Sequence, residues 1–305
     1  MQTVIAILCD ILNMYYYWFK SIILFFIPFP RSKKDVSKDI VLITGGGSGF
    51  GRNLATKFAA LGSHVVIWDI NEKGLKETKK SITESGGICH SYVCDVTDRR
   101  YVCSIAEKVR DEVGNVTILV NNAGIVSGKN ILQLSEEEIV RTFQVNTLSH
   151  FWTIKAFLPS MIECNNGHIV SVSSVAGLSG AASLSDYAAS KFAAIGLQES
   201  LMLETLFQGL DNIHYTTVCP YYMNTGMFTG VQSSILPIME PEVVADEVIT
   251  AVLTNQKFVF IPKSMSLLYP LKALMPYESF PYYVRLLKAE NTMQHFVGRK
   301  ALKGE

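Results

Sequence analysis

One stretch, from Ile40 to Asp69, limits the fold more than any other part of the chain: IVLITGGGSGFGRNLATKFAALGSHVVIWD. A β-branched strand over Ile40–Ile43 runs into a cluster of glycines, apolar residues then recur at helical spacing, and a second strand ends at Asp69. Strands joined through a helix in this way lie parallel in one sheet. The stretch therefore predicts a βαβ unit.

The alternation of strand and helix continues along the chain. Alternating elements of this length imply a parallel sheet with helices on both faces, and 305 residues suffice for one such domain with peripheral extras. We predict an α/β fold, a Rossmann-like doubly wound parallel sheet in a single domain over residues 39–262. The further predicted elements are helices over 71–85, 98–113, 136–147 and 186–208, and strands over 88–94, 118–120, before Ser174 and at IHYTTVCP (213–220).

The glycine cluster after the first strand suits a dinucleotide. Gly45, Gly49 and Gly51 let the backbone approach a pyrophosphate, and the N-terminus of the following helix offers free N–H groups. A flexible turn is the plainer alternative, but the strand before it and the helix after it weigh against that reading. Asp69 lies 18 residues past Gly51, where a carboxylate accepts from ribose hydroxyls and repels a 2′-phosphate. We expect NAD rather than NADP, since no Lys or Arg follows Asp69 before Lys73.

A second informative stretch runs from 168 to 191, HIVSVSSVAGLSGAASLSDYAASK, and reads as a strand, a loop of small residues and the start of a helix. Tyr187 and Lys191 are four residues apart on that helix, so the ammonium can lie beside the phenol and favour its ionised form. Tyr16 and Lys20 have the same spacing, but they precede the nucleotide-binding pattern.

In their order and spacing these motifs resemble the classical short-chain dehydrogenases/reductases over about residues 39–260. The resemblance implies that Tyr187 is the general acid/base, that Lys191 lowers its pKa and holds the nicotinamide ribose, and that Ser174 binds the reacting oxygen. It also implies that Asn146 holds a water that links Lys191 to solvent. The motifs that carry it are TGGGSGFG (44–51), Asp95, NNAG (121–124), Asn146, Ser174 and YAASK (187–191).

The same resemblance implies a set of cofactor contacts. For Asp95 two interpretations stay open, a hydrogen bond to the adenine amino group and an N-terminal cap for the next helix. The full set is Gly45, Ser48, Gly49, Phe50, Gly51, Asp69, Asp95, Val96, Asn122, Ala123, Gly124, Tyr187, Lys191 and Thr225.

The two ends of the chain point to a membrane. Residues 1–30 are almost continuously apolar and aromatic apart from Asp10 and Lys20, which predicts a membrane anchor rather than a buried core helix. The anchor could be a span, a hairpin or an interfacial helix, and all three stay open. The basic linker 31–38 places the catalytic domain in the cytosol, at the endoplasmic reticulum membrane or a lipid droplet. The basic, aromatic extension 263–305 suits membrane contact or a helix closing over the active site.

Within the family, the chain resembles the membrane-associated branch that includes epidermal retinal dehydrogenase and lipid-droplet hydroxysteroid dehydrogenases. We expect NAD-dependent oxidation of a lipophilic alcohol, retinol to retinal or a hydroxysteroid to a ketosteroid. The alternatives are a lipid-droplet or membrane scaffold that keeps an NAD-binding fold without turnover, and an NAD-sensing binding protein. The stretches behind this are PFPR (28–31), VVIWDIN (65–71), NNAGIVSGK (121–129), KAFLPSM (155–161), YAASKFAA (187–194) and CPYYMNTGMF (219–228).

Composition limits which classes of partner and ligand this chain can be expected to bind. The middle of the chain, 39–254, is net acidic, which argues against nucleic acid. The six cysteines lack metal-ligand spacing, so we expect reduced core thiols and no metal site.

The region 226–239 is apolar and suits a lid for a hydrophobic alcohol. Small residues near the start of the helix over 186–208 are compatible with a homodimer, which the resemblance also implies, or with close packing on its own sheet.

Overall fold

The computed structural model describes residues 2–26, 32–234 and 236–298. It divides into two compact units, residues 1–34 and 35–305. Three parts of the chain that bear on the predictions lie outside the described residues: the stretch PFPR (28–31), residue 235 in the lid region, and residues 299–305 of the C-terminal extension. The larger unit holds every strand described below and every residue of the predicted site.

The first unit contains one helix, α1, whose side chains from residue 4 to residue 23 are exposed. Among the described residues, no helix combines the length and the apolar character that crossing a bilayer requires.

Helices and strands alternate through the second unit. The strands and helices of the chain are α1 (Gln2–Phe26), β1 (Ile40–Thr44), α2 (Gly49–Ala60), β2 (His64–Asp69), α3 (Glu72–Glu84), β3 (Ile88–Val93), α4 (Arg99–Glu112), β4 (Ile118–Asn121), α5 (Glu136–Phe143), α6 (Ser149–Glu163), β5 (Gly167–Val172), α7 (Ser185–Phe207), β6 (Ile213–Pro220), α8 (Pro241–Leu253), β7 (Phe258–Ile261), α9 (Met265–Leu274) and α10 (Phe280–Leu286).

The seven strands form one parallel sheet in the order β3-β2-β1-β4-β5-β6-β7. The predicted Rossmann-like, doubly wound sheet is therefore confirmed. The order reverses between β1 and β4, and in open α/β sheets the crevice beyond the carboxyl ends of such strands binds ligands.

The core consists of one apolar layer on each face of the sheet. Because side chains alternate along a strand, Val41 and Ile43 of β1 pack with α2, α3 and α8 on one face. Leu42 points the other way and packs with Trp68 of β2 and with α4 and α6. Strands buried on both faces need continuous apolar runs, which explains the β-branched character of β1 and β5.

Two predictions about local structure were wrong. The helix expected over 136–147 stops as an α-helix at Phe143, and a π-helical segment, Gln144–Leu148, connects it to α6. Periodicity misses this, because one π-helical turn shifts the spacing by a single residue. The cysteines are free, but Cys9, Cys103 and Cys164 are exposed and not in the core.

Candidate active site

The loop between β1 and α2 is closed so tightly that it admits no side chain at one position. A Cβ placed on Gly51 would lie 2.1 Å from the carbonyl oxygen of Gly45, well inside van der Waals contact. Gly49 has φ +53°, a left-handed conformation that favours glycine. The first N–H groups of a helix lack partners within it, so the start of α2 presents donors at this loop, as an anionic pyrophosphate requires.

Asp69, at the end of β2, is held in place by the same loop. Its carboxylate accepts from the backbone N–H of Gly47 at 2.9 Å and of Asn71 at 2.9 Å. Sequence reasoning missed Arg52, whose guanidinium donates to the Gly47 carbonyl at 2.7 Å and pairs with Glu77 at 2.9 Å. A cation therefore lies near Asp69, and the Glu77 carboxylate already pairs with it.

Asp95 accepts hydrogen bonds from its own loop and from α5. It accepts from the backbone N–H of Thr97 at 3.0 Å and from Arg141 at 3.2 Å. Burial acts to raise the pKa of Asp95, but the Thr97 hydrogen bonds and the Arg141 charge outweigh it and hold that pKa below its ordinary value. The cap of α4 is Asp98, whose carboxylate accepts from the first backbone N–H groups, so the interpretation of Asp95 as the cap was wrong.

The NNAG motif joins β4 to β1. The Asn122 side chain donates to the Thr44 carbonyl at 2.8 Å, and the Thr44 hydroxyl accepts from the backbone N–H of Asn122 and of Ala123, each at 3.0 Å. These bonds brace β4 against β1. Gly124 lies against the Lys191 and Asn146 side chains, since a Cβ on it would be 3.5 Å from Lys191 Nζ and from Asn146 Oδ1, in ordinary van der Waals contact.

Ser174, Tyr187 and Lys191 come together between β5 and α7. Ser174 Oγ accepts from the backbone N–H of Ala176 at 3.1 Å, and it acts to lower the pKa of the neighbouring Tyr187 phenol. Lys191 Nζ lies 5.7 Å from the centroid of the Tyr187 ring. Lys191 Nζ also donates to the Val172 carbonyl at 2.8 Å. The neighbouring Ser173 turns away and donates to the Lys191 carbonyl at 3.0 Å, so Ser174 is the serine beside the phenol.

Burial dominates the titration of this pair. It raises the pKa of Tyr187 above that of a free phenol, with the Ser174 hydrogen bond acting in the opposite direction. It also lowers the pKa of Lys191 to about 8. The protein alone therefore shifts the Tyr187 pKa upward, and the downward shift expected from Lys191 together with the nicotinamide charge stays a prediction for the loaded site.

Asn146 lies in the π-helical segment and is fully buried. Its amide donates to the Ile125 carbonyl at 2.9 Å and to the Ser190 hydroxyl at 3.0 Å, while its oxygen accepts from the Ile125 N–H at 2.9 Å. Both amide hydrogens are therefore used by the protein. Only the oxygen, which faces Gly124, has capacity left for the expected water.

These residues surround one cavity of about 330 Å³. Among the predicted site residues, Gly49 and Asn146 do not line it. Those that do are Gly45, Ser48, Phe50, Gly51, Asp69, Asp95, Val96, Asn122, Ala123, Gly124, Ser174, Tyr187, Lys191 and Thr225.

The cavity continues from Tyr187 into an aromatic chamber. The Phe228 ring meets the Tyr187 ring edge to face at 5.7 Å and the Tyr222 ring at 5.1 Å. The Tyr222 hydroxyl lies 3.1 Å from that of Thr292, and burial raises the pKa of Tyr222 to about 12. Tyr221 reaches the lid region, where its hydroxyl lies 3.0 Å from that of Ser233.

Sequence reasoning missed several residues of this chamber. Tyr269, Lys272 and Tyr283 belong to the C-terminal extension and line the cavity, so the extension closes over the site; its contact with a membrane stays a prediction. His150 was also missed: it is buried beside the site, and both ring nitrogens lack a hydrogen-bond partner among the described residues. Burial lowers its pKa to about 3, which keeps the imidazole neutral.

Comparison with known proteins identifies the family. A family model described as short chain dehydrogenase matches residues 39–235. The chain belongs to this family, and it is a short-chain oxidoreductase of the alcohol dehydrogenase type.

Its relatives have names that specify substrates. Human epidermal retinol dehydrogenase 2 is 44% identical over 275 residues, which cover 89% of each chain. Rat estradiol 17-beta-dehydrogenase 11 is 42% identical over 247 residues, 81% of this chain and 83% of the relative. Human 17-beta-hydroxysteroid dehydrogenase 13 is 40% identical over 276 residues, 90% of this chain and 91% of the relative. The resemblance to the retinoid and hydroxysteroid branch is therefore confirmed.

Solved structures agree on the fold and divide on the cofactor. A short-chain dehydrogenase/reductase from Burkholderia phymatum in complex with NAD superposes with a TM-score of 0.73 at 25% identity, covering 82% of this chain and 96% of that one. A metagenomic short-chain oxidoreductase in complex with NADP gives a TM-score of 0.63 at 27% identity, covering 74% and 96%.

The loop geometry predicts the effect of one added methyl group. Gly51→Ala would force the Gly45 carbonyl to move, so we expect dinucleotide affinity to fall by about tenfold or more, equivalent to about 1.4 kcal/mol. Fluorescence titration with NADH and NADPH measures this. Gly196→Ala is the control, since a Cβ on Gly196 in α7 meets nothing within 4 Å. Equal affinity in the two variants would contradict the prediction.

Proposed function

We propose that this chain is an NAD-preferring dehydrogenase that oxidises a lipophilic alcohol, retinol to retinal or a hydroxysteroid to a ketosteroid. The observation that carries the proposal is that Ser174, Tyr187 and Lys191 line one cavity between a glycine loop and an aromatic chamber, with Lys191 Nζ 5.7 Å from the centroid of the Tyr187 ring. The names of the relatives, which specify retinol and 17-beta-hydroxysteroids, support this substrate class.

The residues present fit a dinucleotide. The tight turn at Gly51 and the helix start behind it suit the pyrophosphate, and the Asp69 carboxylate suits the adenosine ribose. Asp69 carries a negative charge, and Arg52, the cation near its loop, is paired with Glu77. This pairing supports NAD over NADP, because a 2′-phosphate would meet the Asp69 carboxylate while the Arg52 guanidinium is already paired with Glu77.

In the proposed reaction the chain moves one proton. Bound NAD would supply the hydride acceptor. Tyr187, as phenolate, takes the hydroxyl proton of the alcohol while Ser174 donates a hydrogen bond to the same oxygen and holds it in place. Lys191 stabilises the phenolate through its charge, and the Asn146 oxygen, facing Gly124, holds the water through which that proton leaves. The surrounding aromatic wall excludes bulk water.

The proposal extends to location and assembly. The exposed apolar side chains of α1 and the basic residues after it support association with the endoplasmic reticulum membrane or lipid droplets, with the second unit in the cytosol. Exposed Phe192, Leu203 and Leu206 on α7 support a homodimer through that helix. A lipid-droplet or membrane scaffold without turnover is the alternative function.

Removal of one oxygen atom tests the catalytic proposal. Tyr187→Phe keeps the ring that packs on Phe228 but cannot take a proton, so we expect kcat to fall by about 10²- to 10⁴-fold. Turnover of retinol and a 17-beta-hydroxysteroid by membranes carrying the full chain is followed through NADH formation. The control is Tyr101→Phe, an exposed tyrosine on α4. Wild type that is no faster than Tyr187→Phe would favour the scaffold.

A charge change tests the cofactor preference. Asp69→Asn keeps an acceptor for the Gly47 N–H and removes the charge, so we expect the ratio of kcat/KM with NADP to that with NAD to rise by about tenfold or more. Glu72→Gln, which removes an exposed carboxylate at the start of α3, should leave the ratio unchanged. An unchanged ratio in Asp69→Asn would refute the assigned role.

The raised pKa of Tyr187 predicts the pH dependence. Oxidation requires the phenolate, so kcat/KM for the alcohol should rise with pH from neutrality up to the Tyr187 pKa, which lies above the value of about 10 for a free phenol. Reduction requires the phenol and should fall as the pH passes that pKa. Ser174 lowers the Tyr187 pKa, so Ser174→Ala should move the rise to higher pH besides slowing turnover. Initial-rate profiles in both directions measure this; an oxidation rate that falls with pH across this range would argue against a phenolate base.

A further inference from the structure

The helix α9 is apolar on two faces. Met265, Tyr269 and Lys272 are spaced four and three residues apart and line the cavity. Leu267, Leu271 and Leu274 repeat this spacing two residues further on, and they are 54%, 48% and 81% exposed. The cavity accounts for the first stripe, and the described residues of the second unit leave the second stripe about half exposed or more.

The same arrangement recurs after α9. Tyr283 of α10 lines the cavity, while Tyr282 and Leu286, four residues apart, are 69% and 75% exposed. Tyr277, in the turn between the two helices, is 83% exposed. We call the exposed set of Leu267, Leu271, Leu274, Tyr277, Tyr282 and Leu286 the outer face.

This segment is attached to the active-site loop. Lys272 Nζ donates to the Leu178 carbonyl, in the loop that follows Ser174, at 2.7 Å. The same ammonium lies 5.5 Å from the centroid of the Phe192 ring and 5.4 Å from that of Phe280. The helices are therefore fixed as a wall of the chamber, and the exposure of their outer face is a property of the packed domain.

A helix that is apolar all round belongs in a protein core or against lipid. The outer face combines leucines with tyrosines, whose rings have an apolar body and a polar tip, and with cations: Arg285 lies 5.9 Å from the Tyr282 ring, and Lys288 follows two residues after Leu286. Leucine, tyrosine and basic residues together are the composition of interfacial helices, and the cations suit anionic headgroups.

We propose that the outer face of α9 and α10 seats in a lipid interface, and that the alcohol enters the chamber from the lipid past these two helices. Only the thickness of the helices separates the exposed stripe from the cavity-lining stripe, so a lipid-dissolved substrate need not cross water. The second half of this inference rests on the proposed lipophilic substrate, and the first half does not.

Hydrogen exchange on the full chain tests the lipid contact without any activity measurement. On addition of phosphatidylcholine vesicles that contain phosphatidylserine, the amides of α9 and α10 should exchange at about one tenth of their original rate or more slowly still. Neutral vesicles should slow this exchange less. No protection in these helices would overturn the proposal. Protection that grows with protein concentration in the absence of vesicles would also overturn it and would assign the face to a second copy of the chain.

Kinetics of a charged variant test the entry route. In Leu274→Glu with Leu286→Glu, kcat/KM for retinol held in vesicles should fall by about tenfold or more, while kcat/KM for a short water-soluble alcohol stays unchanged. The control is Ile88→Glu with Val243→Glu, which charges two exposed apolar side chains on β3 and α8, and it should keep both values.

An equal loss on both alcohols would mean that the variant disturbs the fold, and it would overturn the entry route. Wild type that oxidises neither alcohol would refute the proposed function, and the vesicle-induced protection would still decide whether the outer face contacts lipid. The two failures are therefore distinguishable.

Discussion

The site depends on one buried ammonium. Lys191 Nζ donates to the Val172 carbonyl at 2.8 Å, which ties α7 to the end of β5 and brings Tyr187 alongside Ser174. A buried charge without partners costs several kcal/mol, and here burial lowers the pKa of Lys191 to about 8. The fold therefore holds a desolvated ammonium 5.7 Å from the centroid of the Tyr187 ring.

A second constraint acts on the other side of the cavity. Gly51 and Gly45 approach so closely that a Cβ on Gly51 would lie 2.1 Å from the Gly45 carbonyl oxygen. The bonds from Asn122 and Ala123 to Thr44 join the start of this loop to β4. Both constraints operate at the carboxyl ends of strands beside the point where the strand order reverses. The glycine loop and the phenol consequently face one cavity although about 140 residues of chain separate them, as the parallel sheet requires.

Local pattern was sufficient wherever one short stretch carried the signal. The glycine loop, the acid at the end of β2 and the Tyr–Lys spacing on α7 were all predicted, because each depends on residues within one or two elements. Asn146 was predicted as a site residue but in the wrong kind of helix, since its π-helical segment is stabilised by bonds to the distant Ile125. Arg52 and His150 carried no local signal, because their significance comes from what packs against them.

The sequence by itself determined the class of fold, the family and the identity of the residues around the phenol, because periodicity and motif spacing are local properties of a chain. Only the tertiary structure decided that the C-terminal extension forms a wall of the chamber. Lys272 reaches Leu178 across 94 positions of sequence, and no pattern within α9 indicates that contact. The structure likewise separated one apolar stripe of that helix, which the cavity accounts for, from another that remains exposed, because burial is a property of the packed molecule.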